Sequence, residues 1–278
     1  MMKYLFIPLL FSLFFVSESS AQNLQELDVL DVYDEKIGPN EIAIYAENKA
    51  HCPITILIDF PRKKNVIIDT KLPHTHLVPA NTEKLLIMTV KTKKGLKASF
   101  QYGFTFFLGD TENAKHNDEY VYTLPFEKGT KILLGQGYKG KFSHQNIMAL
   151  DFNLDKGSNV YAARGGIVAF IKEDSNRGCT SESCRDDANY IIIQHDDGSF
   201  GQYVHLKLDG CAVEQGQVVE TGQLIGYSGN TGWSSGPHLH FEVFVPQNNF
   251  YMTVPTKFQT AENKIEYLEE GNSYTAFR

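Results

Sequence analysis

The sequence is short of several things that would each point to a class of protein. Basic residues do not dominate: 26 Lys plus Arg stand against 33 Asp plus Glu, a net charge of −7. An acidic chain lacks the electrostatic footprint of a nucleic-acid binder. Beyond the amino terminus no stretch approaches 18 apolar residues, so no transmembrane helix is expected. The four cysteines, Cys52, Cys179, Cys184 and Cys211, include no C-x-x-C, which removes the usual redox and thiolate-zinc motifs. Solenoid-period repeats and low-complexity segments are absent. Trp occurs once against 14 Tyr and 19 Phe, an aromatic usage that suits strands. With 42% hydrophobic and 21% charged residues over 278 positions, disorder and coiled coil are excluded as descriptions of the whole. One or two domains with real cores are expected.

The first residues read as an address. One Lys near the start precedes an apolar run from Tyr4 to Val16, and Ser19-Ser20-Ala21 supplies small residues where a signal peptidase cuts. Residues 1–21 are expected to be a cleavable signal peptide, cut after Ala21, giving a periplasmic or secreted protein. No Cys follows the cut, so no lipoprotein anchor is expected. Export permits disulfides. Cys179 and Cys184 bracket the polar stretch TSES and are expected to form a local bridge.

Glycine divides the chain: 17 of the 22 lie between Gly129 and Gly236. Before them the pattern alternates. Ile54, Ile56, Ile58 and Phe60 share one strand face, as do Phe100, Tyr102, Phe104 and Phe106, and EIAIYAEN and KLLIMTVKT read as further strands. Residues 22–128 are therefore expected to form an immunoglobulin-like β-sandwich. Residues 129–278 read as short strands with Gly turns. Within them GSNVYAARGGIVAF and GQVVETGQLIGYSG share a pattern of a tight turn before a buried strand. The expected fold class is all-β.

Nine histidines stand at 51, 74, 76, 116, 144, 195, 205, 238 and 240. On a strand, His238 and His240 point to one face while Leu239 turns into a core. Such a pair supplies only two of the three or four ligands of a metal site. His74 and His76 have the same spacing, but no third ligand stands near them, so no metal is expected there. His144 precedes Asp151 by six intervening residues. Asp151 sits between Leu150 and Phe152, and a carboxylate in an apolar strand is costly unless paired or metal-bound. A turn-capping Asp with a surface His is the alternative. His205 shares a strand face with Tyr203 and reads either as functional or as a histidine satisfied within a sheet. His195 leads a turn and is expected to be structural, and His51 and His116 to be exposed.

Taken together, KFSHQNIMALDF, YVHL and SGNTGWSSGPHLHFEV occur in an order that resembles the lysostaphin-like, LytM-type zinc metallopeptidases. The resemblance covers about residues 130–245. It implies a hybrid-motif β-sheet catalytic domain following the sandwich. It also implies zinc held by His144, Asp151 and His240, with His205 and His238 as catalytic residues. The implied activity is hydrolysis of peptide bonds in peptidoglycan stem peptides or cross-bridges. The commonest spacing in that family is His-x3-Asp, so the six residues here read as a local insertion. Two rival readings stay open. One is a non-enzymatic LytM-like module regulating other cell-wall hydrolases. The other is a biotinyl- or lipoyl-type carrier, which export and the lack of a Lys at a matching hairpin tip oppose.

Overall fold

The computed structural model describes residues 28–277. The expected signal peptide lies outside the described residues. Among the described residues nearly every element is a strand; the exception there is a 3-10 helix at Glu182–Asp187. Among the described residues no helix is long and apolar enough to cross a membrane.

The amino-terminal half of the alternating pattern builds two antiparallel sheets. One orders Leu30–Gly38, Glu41–Asn48, Thr82–Thr92 and Val66–Ile68; the other orders His74–Val78, Ile54–Lys64 and Ser99–Leu108. Period-two alternation sends Ile54, Ile56, Ile58 and Phe60 inward, where they meet Val32, Ile44, Met88 and Val90 of the facing sheet. Phe106 is buried in the same core, and Phe100, Tyr102 and Phe104 pack half-buried against it.

The glycine-rich part forms a nine-stranded antiparallel sheet. Its order is Val218–Val219, Gly166–Lys172, Tyr190–Gln194, Phe200–Val204, Leu239–Gln247, Ala149–Phe152, Lys131–Gln136 and Ser273–Thr275, with Phe250–Val254 paired to Leu239–Gln247. The two turn-strand motifs read from the sequence pair with each other. Asn159–Tyr161 runs against Leu224–Ser228, and Gly166–Lys172 against Val218–Val219. A three-stranded sheet of Asn159–Tyr161, Leu224–Ser228 and Leu206–Cys211 closes over one face of the large sheet. Val160, Ile225, Leu206, Ile191, Tyr203, Leu239 and Phe241 form the core between them.

The opposite face is not left to water. Phe170, Tyr190, Ile192, Phe200, Val204 and Phe244 point from the large sheet into the same core as Ile54, Ile56 and Phe106 of the sandwich. Leu239–Gln247 is accordingly buried at every position up to Pro246. Residues just before 128 also join the large sheet's side: Val121–Tyr122 pairs with Lys257–Phe258, and Phe126 bridges to Val160. Cys179 and Cys184 are bonded, as expected, while Cys52 and Cys211 are free. His116 departs from its expected exposure. Its ring stacks on Tyr122 and its nitrogens meet Asp118 Oδ1 at 2.8 Å and the Tyr122 hydroxyl at 3.2 Å. The polar loop that suggested exposure folds back against the sheet. His195 is buried and its Nδ1 meets the Gly165 carbonyl at 2.8 Å, a structural role as read from its turn.

Candidate metal centre and cleft

One cross-strand row of the large sheet carries the site. Val204, His240, Asp151 and Gln136 stand side by side on four neighbouring strands. Alternation fixes which way each points. Leu150 and Phe152 are fully buried in one core, so Asp151 faces the other side. Leu239 likewise anchors inward and leaves His238 and His240 to emerge on the Asp151 side.

His144 reaches the row from the loop between Lys131–Gln136 and Ala149–Phe152. Its Nδ1 donates to the Gly137 carbonyl at 3.1 Å, which leaves Nε2 as a lone pair. That Nε2 is buried, lies 3.2 Å from Asp151 Oδ1, and has no aligned hydrogen-bond partner. His240 Nδ1 lies 2.9 Å from the same oxygen, and its Nε2 is 3.7 Å from Glu242 Oε2. The ligand atoms of His144, Asp151 and His240 all fall within 4.8 Å of one another. A lone pair and a carboxylate oxygen facing each other in a buried place call for a cation between them. Two imidazole nitrogens and one carboxylate are the donor set of a catalytic zinc site. Glu242 behind His240 supplies the outer carboxylate that orients such a ligand. The residues fit a metal of this kind.

His205 and His238 flank the row. The three ligand candidates and these two come together, with ring centres of His205 and His238 4.5 Å apart and His205 and His240 6.0 Å apart. His205 has φ +66, a left-handed conformation that a non-glycine residue adopts rarely and that clusters at functional sites. Its Nδ1 donates to the Thr231 carbonyl at 2.6 Å, so Nε2 is the free basic nitrogen. His238 donates Nδ1 to the Gly236 carbonyl at 2.8 Å and holds Nε2 3.8 Å from Asp151. His74 and His76 lie on Ile54–Lys64's neighbour in the sandwich, away from these residues.

Burial, with the neighbouring His238 and His240, pushes the His205 imidazole down to about 3. Burial also disfavours charge on Asp151, but the His144 and His240 imidazoles beside it outweigh burial and hold the carboxyl well below the usual range. For His240, burial lowers and the Asp151 and Glu242 carboxylates raise; the carboxylates prevail and lift it to about 10.

The row opens into a cleft of about 260 Å³. Phe142, Gln145 and Ile147 of the His144 loop form one wall; Glu182, Arg185 and Trp233 form the other. The second wall is tied down by the Cys179–Cys184 bridge and by parallel pairing of Cys179 with Trp233. Trp233 Nε1 donates to the Thr180 carbonyl at 3.1 Å, and the Arg185 guanidinium lies 5.4 Å from the Trp233 ring. Among these residues, Glu242 had a readable signal, since it follows His240 by two on one strand. Gln136, Thr231 and the wall residues had none, because only the folding of distant segments brings them to the site.

Residues 145–251 match the family model described as Peptidase family M23. This stretch is an M23 peptidase domain, and the resemblance to lysostaphin-like peptidases read from the sequence is the same assignment. It contains Asp151, His205, His238 and His240, and begins one residue after His144. The chain is 36% identical over 108 residues to the peptidoglycan DD-endopeptidase ShyA of Vibrio cholerae, covering 38% of this chain and 22% of that one. It is 31% identical over 124 residues to the DD-carboxypeptidase/endopeptidase Mpg of Neisseria meningitidis, covering 44% of this chain and 26% of that one. The chain thus spans about a quarter of the length of these relatives. Among solved structures it is similar to the catalytic domain of the antimicrobial peptidase lysostaphin from Staphylococcus simulans, with 29% identity, a TM-score of 0.33, and coverage of 45% of this chain and 87% of that one.

Proposed function

We propose that this protein is an exported zinc metalloendopeptidase that hydrolyses peptide bonds in peptidoglycan stem peptides or cross-bridges. In this reading residues 1–21 direct export, 22–128 are an amino-terminal β-sandwich domain and 129–278 the peptidase domain. The observation that carries the proposal is the convergence of five side chains, His144, Asp151 and His240 as ligands with His205 and His238 beside them, at a cleft that His144, His205 and His240 line. The names of the relatives support the substrate class. An open site with every ligand type in place has no role in mere docking, which favours the enzyme over the non-enzymatic module.

When bound, zinc acidifies a water and polarises the scissile carbonyl. The chain's own residues do the rest. His205, neutral because it is buried and fixed as the Nδ1–H tautomer by Thr231, accepts a proton on Nε2 and returns it to the leaving amine. His238, with Nδ1 committed to Gly236, turns Nε2 to the Asp151 side, beside the place where the oxyanion develops. Phe142 and Trp233 on opposite walls pack along an extended peptide, and Arg185, paired with Glu182 at 2.9 Å, lines the Trp233 wall. No covalent intermediate is required.

The test is digestion of purified peptidoglycan with mass spectrometry of the released muropeptides, alongside metal analysis. Stoichiometric zinc and cleaved peptide bonds are expected. Zinc-loaded protein that releases nothing from peptidoglycan would favour the regulatory module instead.

A further inference from the structure

We infer that Gln136 is a positioning residue that locks Asp151 and the His144 loop into a single metal-binding geometry. The inference rests on the zinc-site reading above and deepens it. Gln136 ends the strand beside Asp151 and is its direct cross-strand neighbour. Its side-chain amide is buried and fully used. Nε2 donates to Asp151 Oδ2 at 3.1 Å and to Ser143 Oγ at 2.7 Å; Oε1 accepts the backbone N–H groups of Phe142 at 3.0 Å and Ser143 at 3.1 Å. Two donors and two acceptor sites exhaust what a glutamine offers. The partners also fix which way the amide faces, because a flipped amide would set its NH2 against two N–H donors.

Each half of the amide holds a different ligand. The donor half grips the carboxylate oxygen Oδ2, which turns Oδ1 toward His144 at 3.2 Å and His240 at 2.9 Å. The acceptor half grips the two backbone groups immediately before His144. The long spacer between His144 and Asp151 explains the need. Its six residues form no strand until Ala149, so the histidine arrives on a loop that must be braced to meet a carboxylate on a rigid strand. Gly140 shows that the turn is shaped around this brace. A Cβ there would lie 2.4 Å from Gln136 Cγ, so a side chain at 140 would displace the glutamine. Gln136 itself is no ligand, since its oxygen is spent on the loop.

Partners that orient a first ligand typically contribute 10–100-fold to metal affinity. The experiment measures zinc affinity by chelator competition, and the visible spectrum of the cobalt(II)-loaded protein, for wild type, Q136L and Q136E. Q136E keeps an oxygen for the Phe142 and Ser143 N–H groups but sets a carboxylate against Asp151. Both variants are expected to bind zinc about 10–100-fold more weakly and to shift the cobalt bands. A control, Ile58→Val in the sandwich core, is expected to lower thermal stability and leave affinity and bands unchanged. If Q136L does not fold, Q136E decides. Wild-type affinity and an unchanged cobalt spectrum in the folded variants would overturn the inference while leaving the zinc site standing. A wild-type chain that takes up no zinc would overturn the site reading and this inference with it.

Discussion

Replacing Asp151 by Asn separates two consequences of one charge. The carboxylate lies between His144 and His240 at 3.2 and 2.9 Å, with His238 at 3.8 Å. At the proposed zinc site the substitution would remove a ligand, and both metal and activity are expected to be lost. The sharper expectation concerns the protein stripped of metal. There the carboxylate, 2.9 Å from His240 Nδ1, favours the charged imidazole, and a close pair of opposite charges attracts by about 4 kcal/mol at an effective dielectric of ~20. Removing one partner of a buried pair costs about 3–5 kcal/mol. Asn keeps an acceptor oxygen, which sets the cost near the lower end, about 3 kcal/mol. At about 2–4 °C per kcal/mol for a chain of this size, the melting temperature of the metal-free variant falls by about 6–12 °C. The pH window follows from both groups. His240 is raised from 6.5 to about 10, so its share is fully present below pH 6.5 and lost as pH rises through 10. Asp151 is depressed, so its share is present above 3.8 and lost as pH falls through its lowered value. The gap between wild type and variant is therefore widest between those limits and closes toward alkaline pH. Thermal unfolding in excess chelator across that range measures it. A metal-free Asp151→Asn protein more stable than wild type would refute the reasoning, because it would mean that the carboxylate repels rather than pairs.

Three further outcomes are expected. His205→Ala keeps zinc but loses about 10²–10⁴ in turnover, while His240→Ala loses both zinc and turnover; metal content and hydrolysis of each mutant check the division. His195, pushed by burial from 6.5 down to about 4, makes the fold lose up to about 3 kcal/mol as pH falls through that interval, because the unfolded chain takes a proton that the folded one refuses. Denaturant unfolding of wild type and His195→Gln at pH 4.5 and 7 reads it, with a flatter dependence expected in the variant. Cys179→Ser frees the wall that carries Trp233 and Arg185 while opening a loop of few residues, so KM is expected to rise several-fold with little loss of global stability; a fall in kcat at unchanged KM would count against the wall's role.

Much of this architecture was legible because period two is a strong signal. Ile54 through Phe60 and the triplet of His238, Leu239 and His240 could be assigned to strand faces from alternation alone, and the structure has Ile54, Ile56, Ile58 and Leu239 in cores. The two glycine-bearing motifs marked the strands that pair with one another. What remained hidden depends on distance along the chain. Gln136 is an unremarkable polar residue until the fold sets it beside Asp151. His116 lies in a polar stretch, and nothing local indicates that Tyr122 will cover its ring. The left-handed backbone at His205 has no sequence marker either, since strain of that kind is imposed by its surroundings rather than by its own preference.

The strand Leu239–Gln247 is buried on both faces, between two cores that draw residues from distant parts of the chain. Amides at the centre of such a strand exchange with solvent only when the whole molecule opens, whereas a loop with few buried apolar contacts opens on its own. The five-residue site is therefore built from parts of unequal lifetime. Asp151 and His240 stand on paired strands of the twice-covered sheet, whereas His144 is held from outside the ladder, by the Gly137 carbonyl and by the Gln136 brace on the two residues before it.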